Sequence, residues 1–398
     1  MTGVTSCNLK SIFAMLSLSL ALLYVAFLFL IPTQIPKYLL LLFSVLSIVL
    51  NYKEIFSRET LRRFWIFFRP WLPWLVSIVV SAVIYGSSGF SRYLNTFLIL
   101  ILFYLGLSRL RFDRNLVLYM LGLSSVVVSV IIFTYVQVEG LDAHIFEYNK
   151  NKLMYPVTLV SVTCLIALLF EYKQLPKLLR NLLLFGVLCS VLTLAATEVR
   201  GAVLGYLAVI PVLLLNSFRI SKRTLVIFIS LLVVLVLLFF ASGRIQGALR
   251  DIELLLSNNA NTSLGIRFTL WKTSMEAFFA SPFIGWGPET YRAYSQSGLM
   301  FAPLPSYIDF THFHSDFFQL LVVGGGLGIA CWLVTCIGLG FSAKLNPYKQ
   351  ALLFSSLAMG LTEPFWTRWL SLFSFALLWV IFSLEGSSKE AVIRDIKL

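Results

Sequence analysis

Ser263-Leu-Gly-Ile-Arg267, Pro282-Phe-Ile-Gly-Trp-Gly287 and Thr311-His-Phe-His314-Ser lie in the one long stretch, residues 242–315, where this chain stops being apolar. On either side run apolar segments near the roughly 20 residues that cross a bilayer as a helix. Loops longer than about 12–15 residues inside a compact protein are usually functional or disordered. This one carries Trp271, Phe278, Phe279, Phe283, Trp286, Tyr291 and Tyr294 at close intervals, aromatic content for which a disordered tether has no use. It reads as a folded cap holding a basic active site against a membrane.

The rest of the composition agrees. Hydrophobic residues make up 59% of the chain and charged residues 12%, against about 25% charged in a soluble domain; the mean hydropathy is +0.89. The apolar runs are continuous rather than alternating, so they are helices, one of the two structures that satisfy the backbone in lipid. Reading between charged or Pro/Gly punctuation predicts an all-α integral membrane protein with about twelve spans. They fall near 11–31, 36–51, 70–86, 92–108, 115–136, 153–170, 181–197, 201–218, 223–242, 315–340, 348–362 and 366–384. The first run is read as a span rather than a cleaved leader, because it is long and ends in Pro-Thr-Gln instead of a small-residue cleavage site. Three regions follow: 1–242 with spans one to nine, the loop 243–314, and 315–398 with the last three spans and a tail.

The 31 Lys and Arg set the orientation. Most fall in alternate connections, such as Lys53, Arg58, Arg62, Arg63 and Arg69, or Arg219, Lys222 and Arg223. By the positive-inside rule that side is cytoplasmic, with both termini on it and the long loop on the periplasmic side. The net charge of +13 is thereby accounted for as topogenic, and no nucleic-acid partner is implied. Of the five cysteines, all but Cys7 sit inside apolar runs and none lies in the loop, so neither a disulfide framework nor a cysteine metal site is suggested. A periplasmic site has no ATP or nucleotide-sugar supply. Chemistry there uses a pre-activated, membrane-delivered donor or hydrolyses something.

Few residues on that side can carry chemistry. Arg200, in the turn Glu198-Val-Arg-Gly201, is either a snorkelling interfacial charge or, on so rigid a corner, a bidentate ligand for phosphate oxygens. Arg267 starts a capped amphipathic helix running from Ser263, with Leu264, Phe268, Trp271, Met275, Phe278 and Phe279 as its apolar stripe; it is either a solvated surface arginine or a second phosphate ligand. His314 suits general base work, with a capping role or half a zinc site as alternatives. With His144 in a different loop, zinc would have to recruit Asp309, Asp316 or another carboxylate. Glu198, His312 and Arg368 are candidates for supporting roles. Gly324-Gly-Gly-Leu-Gly328 reads as small residues that permit close helix packing in lipid, not as a nucleotide loop. No Walker sequence, serine-nucleophile motif or paired Asp-x-Asp is present on this side, and no cofactor is called for. Two arginines and a histidine suit transfer of a group from a diphosphate-activated lipid to a hydroxyl.

These motifs carry a resemblance. Glu198-Val-Arg200-Gly, Thr262-Ser-Leu-Gly-Ile-Arg267 with Ser281-Pro-Phe, His314-Ser followed by Gly325-Gly-Leu-Gly328, and Gly360-Leu-Thr-Glu-Pro-Phe-Trp-Thr-Arg368 resemble an enterobacterial O-antigen ligase, of the ligase and polymerase superfamily. The resemblance implies a dozen spans and one large periplasmic loop. It implies that Arg200 and Arg267 bind the donor's undecaprenyl diphosphate and that His314 activates the acceptor hydroxyl. It further implies an O-antigen donor, a lipid A–core acceptor, an inner-membrane location, and metal-independent, inverting transfer. A polymerase with the same donor is the nearest alternative, and a transporter for the lipid-linked glycan is one of a different class.

Overall fold

The computed structural model of the protein describes residues 35–86, 90–108, 113–140, 144–145, 148–197, 199–217, 222–241, 244–257, 262–288 and 312–395. The predicted first span, Glu198, and residues 289–311 of the loop lie outside them. Helices α1 (Ile35–Leu50), α2 (Tyr52–Ile55), α3 (Arg58–Phe68), α4 (Leu72–Tyr85), α5 (Ser91–Leu107), α6 (Arg114–Glu139), α7 (Lys150–Glu171) and α8 (Lys177–Thr197) come first. A two-residue antiparallel ladder, His144–Ile145 with Tyr148–Asn149, precedes α7. Then follow α9 (Arg200–Leu207), α10 (Val209–Leu215), α11 (Lys222–Ala241), α12 (Arg244–Leu256), α13 (Ser263–Ala280), α14 (Asp316–Ala343), α15 (Pro347–Gly360) and α16 (Trp369–Asp395).

Each predicted span that falls on described residues is helical, with the span near 201–218 divided between α9 and α10. Among the described residues, five stretches are long and apolar enough to cross a membrane: Arg58–Tyr85, Arg114–Glu139, Leu153–Glu171, Lys177–Thr197 and Asp316–Ala343. The third is almost wholly buried, whereas the other four leave half or more of their residues on the outside. Helix α7 is therefore a central element, packed against α6, α8, α9, α11, α15 and α16. Polar pairs tie the packing together. Ser125 Oγ of α6 donates to Gly186 O of α8 at 2.9 Å, and Thr193 Oγ1 donates to Ser129 O at 2.9 Å. Such interhelical bonds are the cohesive element where the surroundings are as apolar as the side chains.

One sequence expectation is corrected. The glycines at 324–328 do not serve a close helix crossing; they mark a break in α14. Gly325 has φ 59° and ψ −154°, a conformation essentially reserved for glycine. The Pro282–Gly287 segment fills the break: Trp286 and Gly287 donate their N–H groups to Val322 and Val323 O, while Gly326 and Leu327 donate to Pro282 and Phe283 O. The opened helix is resealed by the loop, as irregular backbone within an apolar region must be. The stripe of α13 is partly packed: Leu264, Trp271, Met275 and Phe278 are half-buried, and Trp271 stacks on Phe318. Gly265, Leu270, Thr273, Ser274 and Ala277 are buried, whereas Phe268 and Phe279 are exposed. Small residues let α13 approach α14 closely.

Candidate active site

The site forms where three separate pieces of chain meet: the start of α13, the residues before α14, and the turn at 361–368. Each is locked in place by local chemistry. Thr262 caps α13 by accepting from Gly265 N–H at 3.0 Å, which sets the first turn and the direction of Arg267. Phe313 is buried with Leu270, Ala277 and Val322. Its backbone is held at both ends: Phe313 O accepts from Trp271 Nε1 at 3.0 Å and Phe313 N–H donates to Gln319 Oε1 at 3.1 Å. With Phe313 anchored inward, His312 and His314 turn together to the same side, ring centroids 4.3 Å apart. His314 has φ 50°, and among the described residues it is the non-glycine residue with positive φ, a conformation held by its surroundings.

Asp316 fastens the third piece. Its buried carboxylate accepts from the N–H groups of Phe365, Trp366 and Thr367 at 2.8–3.1 Å and from Thr367 Oγ1 at 3.3 Å. Trp366 then packs into an aromatic cluster with Trp74 and Phe375, centroids 5.5 and 5.0 Å away. The turn is thus pinned by charge-assisted hydrogen bonds on one side and aromatic packing on the other, which fixes Glu363 and Arg368.

Glu363 is the hub. Its side chain is 3% exposed. Oε1 lies 2.7 Å from His314 Nδ1 and 3.3 Å from Arg267 Nη2. Oε2 lies 3.2 Å from Arg368 Nη2 and 3.5 Å from His312 Nε2. Burial works against the charge of this carboxyl, but contacts from His312 and His314 and the charge of Arg368 outweigh it and hold the group well below the usual carboxylate range. Ionised, Glu363 can only accept, so His314 Nδ1–H donates to it and the lone pair is left on Nε2.

His312 is different. Arg368 Nη2 lies 2.9 Å from His312 Nε2, and since arginine can only donate, that nitrogen is the acceptor. Burial, reinforced by the neighbouring charge of Arg368, pushes His312 down to about 4. It is a neutral ring whose lone pair is already engaged. Of the two histidines, His314 has the geometry of a base.

Sequence reading named Arg267, His312, His314 and Arg368, and the structure brings all four onto one carboxylate that the reading did not single out. Glu363 had a signal: an acid between two apolar spans is rare and functional by default. Arg200 is not on this carboxylate; its Nη1 lies 3.8 Å from Asp251 Oδ2 of α12. It is nonetheless adjacent, because Gly201 packs so tightly on the turn that a Cβ there would meet Thr362 Oγ1 at 2.6 Å and Tyr155 Oη at 2.7 Å. His312, His314 and Glu363 offer ligand atoms within 4.8 Å of one another, the donor set of a His₂–carboxylate metal site. Asp316, a predicted alternative ligand, instead faces the 365–367 backbone. With Arg267 and Arg368 beside Glu363, the positive charge a metal would bring is already present, and a divalent ion there would oppose two guanidiniums.

A helical bundle with several membrane-length spans, carrying a buried His–Glu pair framed by arginines, is the architecture of a multi-pass membrane protein with a charged site. Residues 185–333 match the O-antigen ligase family model, which supports membership of the O-antigen ligase/polymerase superfamily. The matched stretch takes in Arg200, Arg267, His312 and His314, while Glu363 and Arg368 lie beyond its end. No curated protein matches the chain.

Proposed function

We propose that the protein is an O-antigen ligase: it transfers O-antigen polysaccharide from undecaprenyl diphosphate to a hydroxyl of lipid A–core at the periplasmic face of the inner membrane. Twelve spans with both termini cytoplasmic would place the site on that face. The observation that carries the reading is the 2.7 Å contact between His314 Nδ1 and Glu363 Oε1, with Arg267 on the same oxygen. A carboxylate that fixes the imidazole tautomer and stabilises the imidazolium is the arrangement that makes histidine an effective general base.

The chemistry is a single displacement. The acceptor hydroxyl oxygen attacks the anomeric carbon and its proton passes to His314 Nε2. The carbon–oxygen bond to the diphosphate breaks with its electron pair leaving on the phosphate, so configuration inverts. Arg267 and Arg200 stabilise the departing charge, a task for which the bidentate guanidinium fork is suited. Arg368 Nη1, buried with no hydrogen-bond partner among the described residues, keeps a further donor unspent beside the cluster. The positive charge comes from the protein, so the reaction needs no metal ion.

The test is reconstitution of the purified protein with undecaprenyl diphosphate-linked glycan and lipid A–core in excess chelator. Product should form, and His314→Ala should abolish it without loss of folded protein. Activity lost to chelator and restored by a divalent cation would overturn the metal-independent mechanism and make His312, His314 and Glu363 ligands. Product formed only on a growing glycan would make the protein a polymerase.

A further inference from the structure

Helix α12 has an exposed side, which includes Arg250 and Glu253, and an inward side on which Leu254 and Leu255 are half-buried. Leu249, Ile252 and Leu256 form an exposed stripe at helical spacing, and Asp251 lies roughly opposite, half-buried, with its carboxylate 3.8 Å from Arg200 Nη1. The apolar stripe suits the headgroup and acyl boundary of a bilayer, where a lipid-linked donor travels. On the inward side Asp251 meets Arg200. Every other arginine of the site is paired to Glu363, so Arg200 has a carboxylate of its own, on a different element.

We infer that Asp251 is an internal stand-in for the donor's phosphate: it holds Arg200 while the site is empty and must give it up when the diphosphate arrives. This rests on the reading of Arg200 as a diphosphate ligand. At 3.8 Å the pair is an ion pair without a hydrogen bond, and a partly exposed one, so it is weak enough to exchange. A phosphate offers Arg200 a closer, bidentate partner. The carboxylate on α12 keeps the guanidinium oriented and guards it from small anions, at the cost of competing with the donor. Asp251 therefore acts through Arg200 as a positioning residue that sets donor affinity.

The test uses the purified full-length protein, titrating lipid-linked donor at saturating acceptor, with inorganic pyrophosphate as the competing probe. Asp251→Asn removes the competing charge and keeps the shape. It should lower the donor KM and the pyrophosphate inhibition constant by about two- to fivefold, the size of a partly exposed ion pair. The rate at saturating donor and the acceptor KM should stay within twofold of native. Asp251→Glu, which keeps the charge, should return the donor KM toward the native value, a rescue that a loss of packing would not show. A donor KM that is unchanged or raised in Asp251→Asn, while Arg200→Lys weakens the donor, overturns this inference and leaves the proposed function standing. A native donor KM in Arg200→Lys overturns the diphosphate role of Arg200, and the role of Asp251 with it.

Discussion

Replacing Glu363 with Gln separates the catalytic reading of the cluster from a purely structural one. The substitution keeps the volume and removes the charge. In the native site one charge-assisted bond of 2.7 Å joins His314 to the carboxylate. If the Gln carbonyl takes that place, the loss is the difference between a charged and a neutral acceptor, about 1–1.5 kcal/mol, or about 5- to 12-fold in rate. If the amide nitrogen faces Nδ1 instead, the tautomer reverses and the proton occupies Nε2, where the acceptor proton has to go. The analogous Asp→Asn change in a Ser-His-Asp triad costs about 10⁴. The expected fall in kcat therefore lies between about fivefold and about 10⁴-fold, set by which way the amide faces, with donor and acceptor KM little changed. Stability should suffer less than for a wholly buried pair, because the Arg267 and Arg368 side chains keep 21% and 17% of their exposure and solvent relieves their lost partner; about 1–2 kcal/mol is expected. The assay is the initial rate at saturating donor and acceptor, with gel filtration and thermal melting to establish folding. A folded Glu363→Gln protein within about threefold of the native kcat would refute the reasoning.

Other consequences follow from the same geometry. Arg267→Lys should lower kcat/KM for the donor by about tenfold or more, since a point ammonium cannot reproduce the fork on a diphosphate; a native value would mark Arg267 as structural. His312 is held at about 4, below its unfolded value of about 6.5. The unfolded chain thus binds the extra proton first as pH falls from about 6.5, and the folded state should lose about 3 kcal/mol from this group by the time pH passes below 4. His312→Asn should flatten that part of a melting-temperature profile, and an unaltered slope would contradict the assignment. At the break in α14, Gly325→Ala should destabilise severely, by roughly 2 kcal/mol or more, because its Cβ would meet backbone atoms of residues 283–285 at 2.6–2.8 Å. Gly324→Ala meets nothing within 4 Å and should melt like the native protein.

The helices were legible because long apolar runs have one physical outcome in lipid. The charged residues of the site were legible because charge is scarce here, so Arg267, His314 and Arg368 stand out against their surroundings. What joins them was not legible. Glu363 lies 49 residues from His314 and 96 from Arg267 along the chain, and no local pattern states that such groups meet. The separation of Arg200 onto Asp251 has the same cause. Residue size misled in one place. At 324–328 the glycines serve a backbone break whose partners are 40 residues earlier, in the segment that ends Trp286-Gly287. Helix α12 was missed because Leu249, Ile252 and Leu256 are set among charged residues and read as part of a polar loop.

The central claim is tested most directly by the lipopolysaccharide of a strain lacking this protein. A ligase acts after the polymer is made. The deletion should therefore leave lipid A–core without O-antigen while long chains accumulate on the undecaprenyl carrier. The native chain should restore transfer, and His314→Ala should not. Core bearing a single repeat unit in the deletion strain would contradict the account, since transfer would then be intact and elongation the missing step.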